Sequence, residues 1–156
     1  MKLKVILIVI SLSYLYSDAT VIIDKDYSPF CGSSVLLSGQ KLLTKSTDRL
    51  NLFFSKSDQE QQSGSFTGRF FEQTCLWLPV NGLSSITQHE LFGHGYRARE
   101  FGVQVDYELL PFHGFTSFEN PEQIDNLSVG KYTAIVVAGL EAQQVAAKEM
   151  KMNFLR

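Results

Sequence analysis

His89 and His94 stand five residues apart in Ser85-Ile86-Thr87-Gln88-His89-Glu90-Leu91-Phe92-Gly93-His94, and that interval limits what the backbone around them can be. On a regular α-helix five residues turn through about 500°, which leaves the two rings roughly 140° apart. A helix that brings them together has to absorb one extra residue in a wider, π-type turn, a distortion found preferentially at functional sites. Gly93 lies at the inserted position, where a permissive backbone is expected. Ser85-x-x-Gln88 has the arrangement of a capping box, so a helix is expected to begin just after Ser85. Gly102 is placed to stop it at about Glu100 or Phe101.

Granted such a turn, His89 and His94 are neutral nitrogen donors of the kind zinc prefers, and a catalytic zinc takes three protein ligands and keeps a position for water. Glu90, directly after His89, is then the candidate general base for a water whose pKa the metal lowers to about 7. The expected chemistry is hydrolysis of an amide or similar bond. The best candidate for the third ligand is Glu141, an acid in the otherwise apolar part of a second helix, because a buried carboxylate is costly unless paired or metal-bound. His113 and Glu108 are second choices, and His113 has the alternative role of orienting substrate or an oxyanion. Arg97, Arg99 and Glu100 read as solvated side chains near a helix C-terminus, where positive charge is favourable. Tyr107 and Tyr132 read as packing residues.

His89-Glu90-Leu91-Phe92-Gly93-His94 resembles the His-Glu-x-x-Gly-His signature of the dipeptidyl peptidase III metallopeptidases, a glutamate-zincin family. The resemblance implies that His89 and His94 bind zinc, that Glu90 activates water and that Glu141, on a downstream helix, completes the site. It covers six residues and one glutamate. The family's second motif is Glu-Glu-x-x-Ala-Glu-like, whereas here Leu140 precedes Glu141 and Val145 stands where another acid is expected. What the motif implies is a shared zinc-helix solution and a peptide or protein substrate, without dipeptide release as a specificity.

The rest of the chain sets the context. Lys2 and Lys4, the apolar run Val5 to Tyr16 and Ser17-Asp18-Ala19 read as a signal peptide cleaved after Ala19, which predicts export to a periplasmic, extracellular or outer-membrane-associated location. The apolar run is short for a membrane span. Loss of residues 1–19 moves the formal charge from −2 to −3, and with no basic patch nucleic acid is not an expected partner. Cys31 and Cys75 form an even pair that invites a disulfide in an oxidising compartment. Residues 20–156, with 44% hydrophobic and 19% charged residues in the whole sequence, fit one compact domain, which the motif's resemblance implies is zincin-like. Thr20 to Ile23 is β-like, Ser33 to Leu43 is a strand or a helix, residues 55–65 are an exposed loop, and Phe70 to Val80 is a strand or a buried extended run. Val103 to Leu109 alternates as a half-buried strand, Asn120 to Asn126 is loop-like, and Val129 to about Asn153 is a second helix buried in its first half. The chain stops at Phe154-Leu155-Arg156 without turn residues or a polar tail, and reads as the front part of a longer frame.

The expected architecture is α+β: two long helices flanking a zinc site, with a small sheet of short strands. The alternative is an exported or membrane-associated non-enzymatic domain, in which the motif helix is structural and the second helix packs on a partner or a missing C-terminal region. A purely structural zinc site is a third reading.

Overall fold

The computed structural model describes residues 21–54 and 65–154. It is an α+β fold in which long helices carry one antiparallel hairpin. Helix α1 spans Pro29–Phe54. A continuous helical run follows, made of α2 (Ser65–Phe71), a π-helical segment (Glu72–Trp77), α3 (Leu78–His89), a π turn (Glu90–His94) and α4 (Gly95–Glu100). The hairpin β1 (Val105–Leu110) and β2 (His113–Phe118), the short α5 (Pro121–Asp125) and α6 (Val129–Phe154) complete the chain.

The two π segments have different causes. Pro79 cannot donate to the ladder, and its ring would clash with a carbonyl one turn back, so the backbone ahead of it widens. Leu78 N–H accordingly reaches Gln73 O, five residues back. In the second segment Gly95 N–H reaches Glu90 O by the same interval, while the flanking residues stay right-handed helical. Helix α4 ends in a Schellman motif: Gly102 has φ +75°, its N–H bonds Arg99 O at 3.0 Å, and Val103 N–H bonds Ala98 O at 2.9 Å. Val103 and Ala98 pack together with Ile135, so the helix stop and the start of a core are one contact.

Three helices form the body. Gln88 Nε2 donates to Pro29 O and to Ala142 O, both at 2.9 Å, and Gln40 Nε2 donates to Asn81 Oδ1 at 3.1 Å, so α1 runs antiparallel to α3. Helix α6 also runs antiparallel to the motif helix, with Gln143 beside Ser85 and Ile135 beside His94. At the crossing the backbones touch. A methyl group at Gly93 would lie 2.7 Å from Gly139 Cα and 2.8 Å from Ala138 O. Gly93 is therefore required by the approach of α6; its own backbone stays in the helical region. The hairpin lies across the other side of α3, with Pro111 O over Gly82 and Gly114 against Ile86. Its pairing runs from Val105↔Phe118 to Leu110↔His113.

The strand expected over Val103 to Leu109 is found at Val105–Leu110, and the second helix at Val129–Phe154. Several other expectations are corrected. Residues 21–23 have no regular structure and Phe70 to Val80 is helical, while Ser33 to Leu43 takes the helical of its two expected forms, within α1. The Ser85 capping box does not start a helix: Ser85 is interior to α3, and Gln88 is a buried bridge between helices. Asn120 to Asn126 holds α5, capped by Asn120 Oδ1 accepting from Glu122 N–H at 3.0 Å. Helix α6 is buried only along Ile135, Ala138, Gly139 and Ala142, and Val129, Tyr132, Val136 and Leu140 are exposed. Cys31 and Cys75 are free thiols, and the expected bridge is not formed because Cys31 is buried at the start of α1 while Cys75 faces solvent. No helix among the described residues is long and apolar enough to cross a membrane. The expected signal peptide and most of the expected loop at 55–65 lie outside the described residues.

Because backbone atoms cannot move aside as a flexible side chain can, Gly93→Ala is expected to destabilise the chain by about 1–3 kcal/mol. Gly130→Ala, in open space within α6, is expected to stabilise by about 0.4–1 kcal/mol. Urea midpoints measured in a chelator compare the two, and equal midpoints would disprove the backbone contact.

Candidate metal centre

The π turn brings the two histidines together. His89 Nε2 and His94 Nε2 lie 3.1 Å apart, with the rings edge to face and their centroids at 4.7 Å. Glu90 joins them: one donor atom from each of His89, Glu90 and His94 lies within 4.8 Å of the others, a group able to hold a metal ion. Two ligands about 2.0–2.1 Å from a tetrahedral ion stand about 3.3 Å apart, so the observed nitrogen separation fits a shared metal.

The hydrogen bonds assign the tautomer of His94. Its Nδ1 lies 2.6 Å from Ile135 O, and a carbonyl only accepts, so Nδ1 carries the proton and Nε2 presents a lone pair. A backbone carbonyl behind the far nitrogen is the usual support of a ligating imidazole. His89 is held by packing. Its Nε2 edge lies over Gly139 Cα, where any larger residue would collide, and its Nδ1 is buried without a partner. The donor set thus fits a metal, and one of its two rings has the accompanying support.

Glu90 faces the hairpin. It is 8% exposed, and Thr116 Oγ1 lies 2.8 Å from its Oε2 and 3.3 Å from its own backbone O. One hydroxyl proton serves the nearer carboxylate oxygen. Gly114, the neighbour of Thr116 across the pleat, leaves the space in which the Glu90 side chain lies, 3.6 Å from where a Cβ would sit.

The other candidates are elsewhere. Glu141 is 53% exposed and pairs with Arg97 at 3.0 Å; Arg97 also pairs with Glu100 at 2.7 Å. The reason is helical geometry: Gly139 lies under His89, and two residues further on a helix is about 200° round. His113 is exposed at the start of β2 beside Phe115, with centroids at 5.8 Å, and Glu108 is exposed on the outer face of β1. Arg99 is not a solvated side chain. It is half-buried and bonds Leu91 O, Tyr107 Oη and the Asp26 and Tyr27 carbonyls. Tyr107 points inward, its hydroxyl lying on Gly95; burial pushes its phenol above the ordinary value, against the opposing pull of Arg99.

Thr116, the Ile135 carbonyl, Gly139 and Arg99 are the site residues that sequence reasoning missed. Only Gly139 carried a signal, because a glycine inside a helical pattern marks a close approach. No family model, curated protein or solved structure matches this chain.

The geometry predicts that Co2+, used as a spectroscopic probe, binds at one equivalent. His94→Ala should weaken it by more than the roughly 10- to 100-fold that loss of a group supporting a ligand costs. Thr116→Val, which removes a support of Glu90 and of neither imidazole, and Glu141→Ala should both leave it unchanged. Competition against a chromophoric chelator measures all three, and loss of metal in Glu141→Ala would return that residue to the ligand set.

Proposed function

We propose that this chain is a zinc-dependent hydrolase, acting most simply on peptide bonds, with His89 and His94 as metal ligands and Glu90 as general base. The observation that carries the reading is the pair of Nε2 atoms 3.1 Å apart with a buried carboxylate beside them on one π turn. Nitrogen and carboxylate donors suit zinc among other metals, and hydrolysis without redox chemistry favours it. Zinc there would supply Lewis acidity and a water acidified to a pKa of about 7.

The chain's own groups have definite tasks. Ile135 O holds the His94 ring so that Nε2 faces inward. Thr116 fixes Oε2 of Glu90, which leaves Oε1 as the atom to accept a proton from the attacking water and pass it to the leaving amine. Burial of Glu90 keeps that carboxylate from being solvated in competing orientations. The N-terminal sequence reads as an export signal, so the proposed activity lies outside the cytoplasm, with a peptide or protein as substrate.

A second reading, a non-enzymatic domain with a structural metal centre, is favoured by one observation: the His89 Nε2 edge lies against the backbone of α6. A closed centre of that kind would use Glu90 as a ligand. Glu90→Gln separates the two. In a zinc-loaded sample assayed against a quenched-fluorescent peptide library, the hydrolase reading expects zinc retained and turnover down by about 10²- to 10⁴-fold. Retained turnover would refute the base assignment, and loss of zinc would make Glu90 a ligand and the centre structural.

A further inference from the structure

In the π turn, Gly95 N–H, which a regular α-helix would give to Leu91 O, goes to Glu90 O instead. Arg99 addresses the Leu91 carbonyl. Its side chain runs back along the helix, and Nη2 donates to Leu91 O at 3.2 Å. From the same guanidinium Nη1 donates to the Tyr107 hydroxyl, while Nη2 and Nε reach Asp26 O at 3.2 and 3.4 Å and Nη2 reaches Tyr27 O at 3.4 Å. The group also lies 5.7 Å from the centroid of the Tyr27 ring.

Each partner is itself fixed. The Tyr107 hydroxyl rests on Gly95, the residue that closes the π turn, and Tyr107 belongs to β1. Tyr27 has φ +53°, a left-handed conformation uncommon outside glycine, in a turn held by the Asp24 carboxylate. That carboxylate accepts from Asp26 N–H at 3.1 Å, Ser28 N–H at 3.0 Å and the Ser28 hydroxyl. Arg97, two residues earlier on α4, donates to the exposed carboxylates of Glu100 and Glu141 and lies 5.8 Å from the centroid of the Tyr96 ring.

We propose that Arg99 is the positioning residue of the metal centre: by tying Leu91 O to β1 and to the 24–28 turn, it holds the π turn in register and so sets the approach of His89 to His94. Only a planar fork with five donors can meet carbonyls and a hydroxyl in three directions, and a lysine offers one point of charge. The functional consequence rests on the metal-binding reading. The structural consequence rests on the hydrogen bonds alone.

The experiment compares the wild-type chain with Arg99→Lys and with Leu36→Ala, a substitution in α1 that lowers stability beside Ser84, Ser85 and Ala146, away from the π turn. Co2+ affinity and visible spectrum are read in the loaded protein, and amide exchange at Phe92, Gly93 and His94 in the metal-free protein. Arg99→Lys is expected to weaken Co2+ by about 10- to 100-fold, to shift the visible bands and to speed exchange at those amides at least about tenfold. Leu36→Ala is expected to move none of these. Unchanged affinity, spectrum and exchange in Arg99→Lys would overturn the proposal, as would equal changes in Leu36→Ala. If the wild type takes up no Co2+, the metal reading fails by itself and exchange decides: acceleration confined to Arg99→Lys supports positioning, and its absence overturns it.

Discussion

The contact on which the rest depends is backbone against backbone, Gly93 on Gly139. A glycine inside a helix costs about 1 kcal/mol relative to alanine, and this chain places one on each side of a single crossing. With no Cβ between them the π turn and α6 come close enough for the Ile135 carbonyl to reach His94 and for the His89 ring to lie over Gly139. Small side chains continue the contact: Ala138 and Ala142 are buried along the same face of α6. Larger residues there would lift α6 away and take the His94 acceptor with it.

The inserted residue has a second effect. It rotates His94 toward His89, but it also moves the carbonyls of the turn out of the helical ladder's register. Two side chains from outside the turn hold it there, Arg99 at Leu91 O and Thr116 at the Glu90 carboxylate. The hairpin and the 24–28 turn are therefore supports of the π turn, which explains why a two-stranded sheet, marginal by itself, is kept against the helix. Gly82, Gly95 and Gly114 are the places where this support touches the helix or its own inner face, each too close to a neighbour for a side chain.

How much of this was legible follows from which signals are local. The π turn could be read because two histidines at the wrong spacing lie within six residues, and the α4 stop because Gly102 needs only its own φ; Gly93 reads as a permissive backbone, whereas the close approach of α6 is what requires it. The hairpin showed through period-two alternation. The Ser85 capping box misled because Gln88 has the chemistry of a cap but is used to bridge α1 and α6, a contact 54 and 59 residues away in sequence. Phe70 to Val80 misled because aromatic and β-branched content reports burial or strand equally, and here Pro79 sits in the second position of a helix. Glu141 looked isolated because its neighbours are apolar. Yet Leu140 is 60% and Val136 53% exposed, so apolar sequence did not mean an apolar surrounding and the argument from buried charge had no purchase. Thr116 and Arg99 had no local signal, since their partners are carbonyls brought close only by the fold.

The exclusion of Glu141 is a matter of direction rather than of energy. An exposed ion pair such as Arg97–Glu141 is worth about 0–1 kcal/mol, and metal coordination would overcome it. Rotating a side chain about 200° round a helix packed by Gly139 and Ala138 would require the helix to turn, which the backbone contact forbids. Among the described residues the one carboxylate in the group is Glu90, which approaches from the hairpin side, about 100° round the helix from His89. A carboxylate oxygen that ligates an ion cannot at the same moment take the proton of a water. The two functions divide at this residue, and under the proposed hydrolase reading Thr116, by donating to Oε2, leaves Oε1 for the proton.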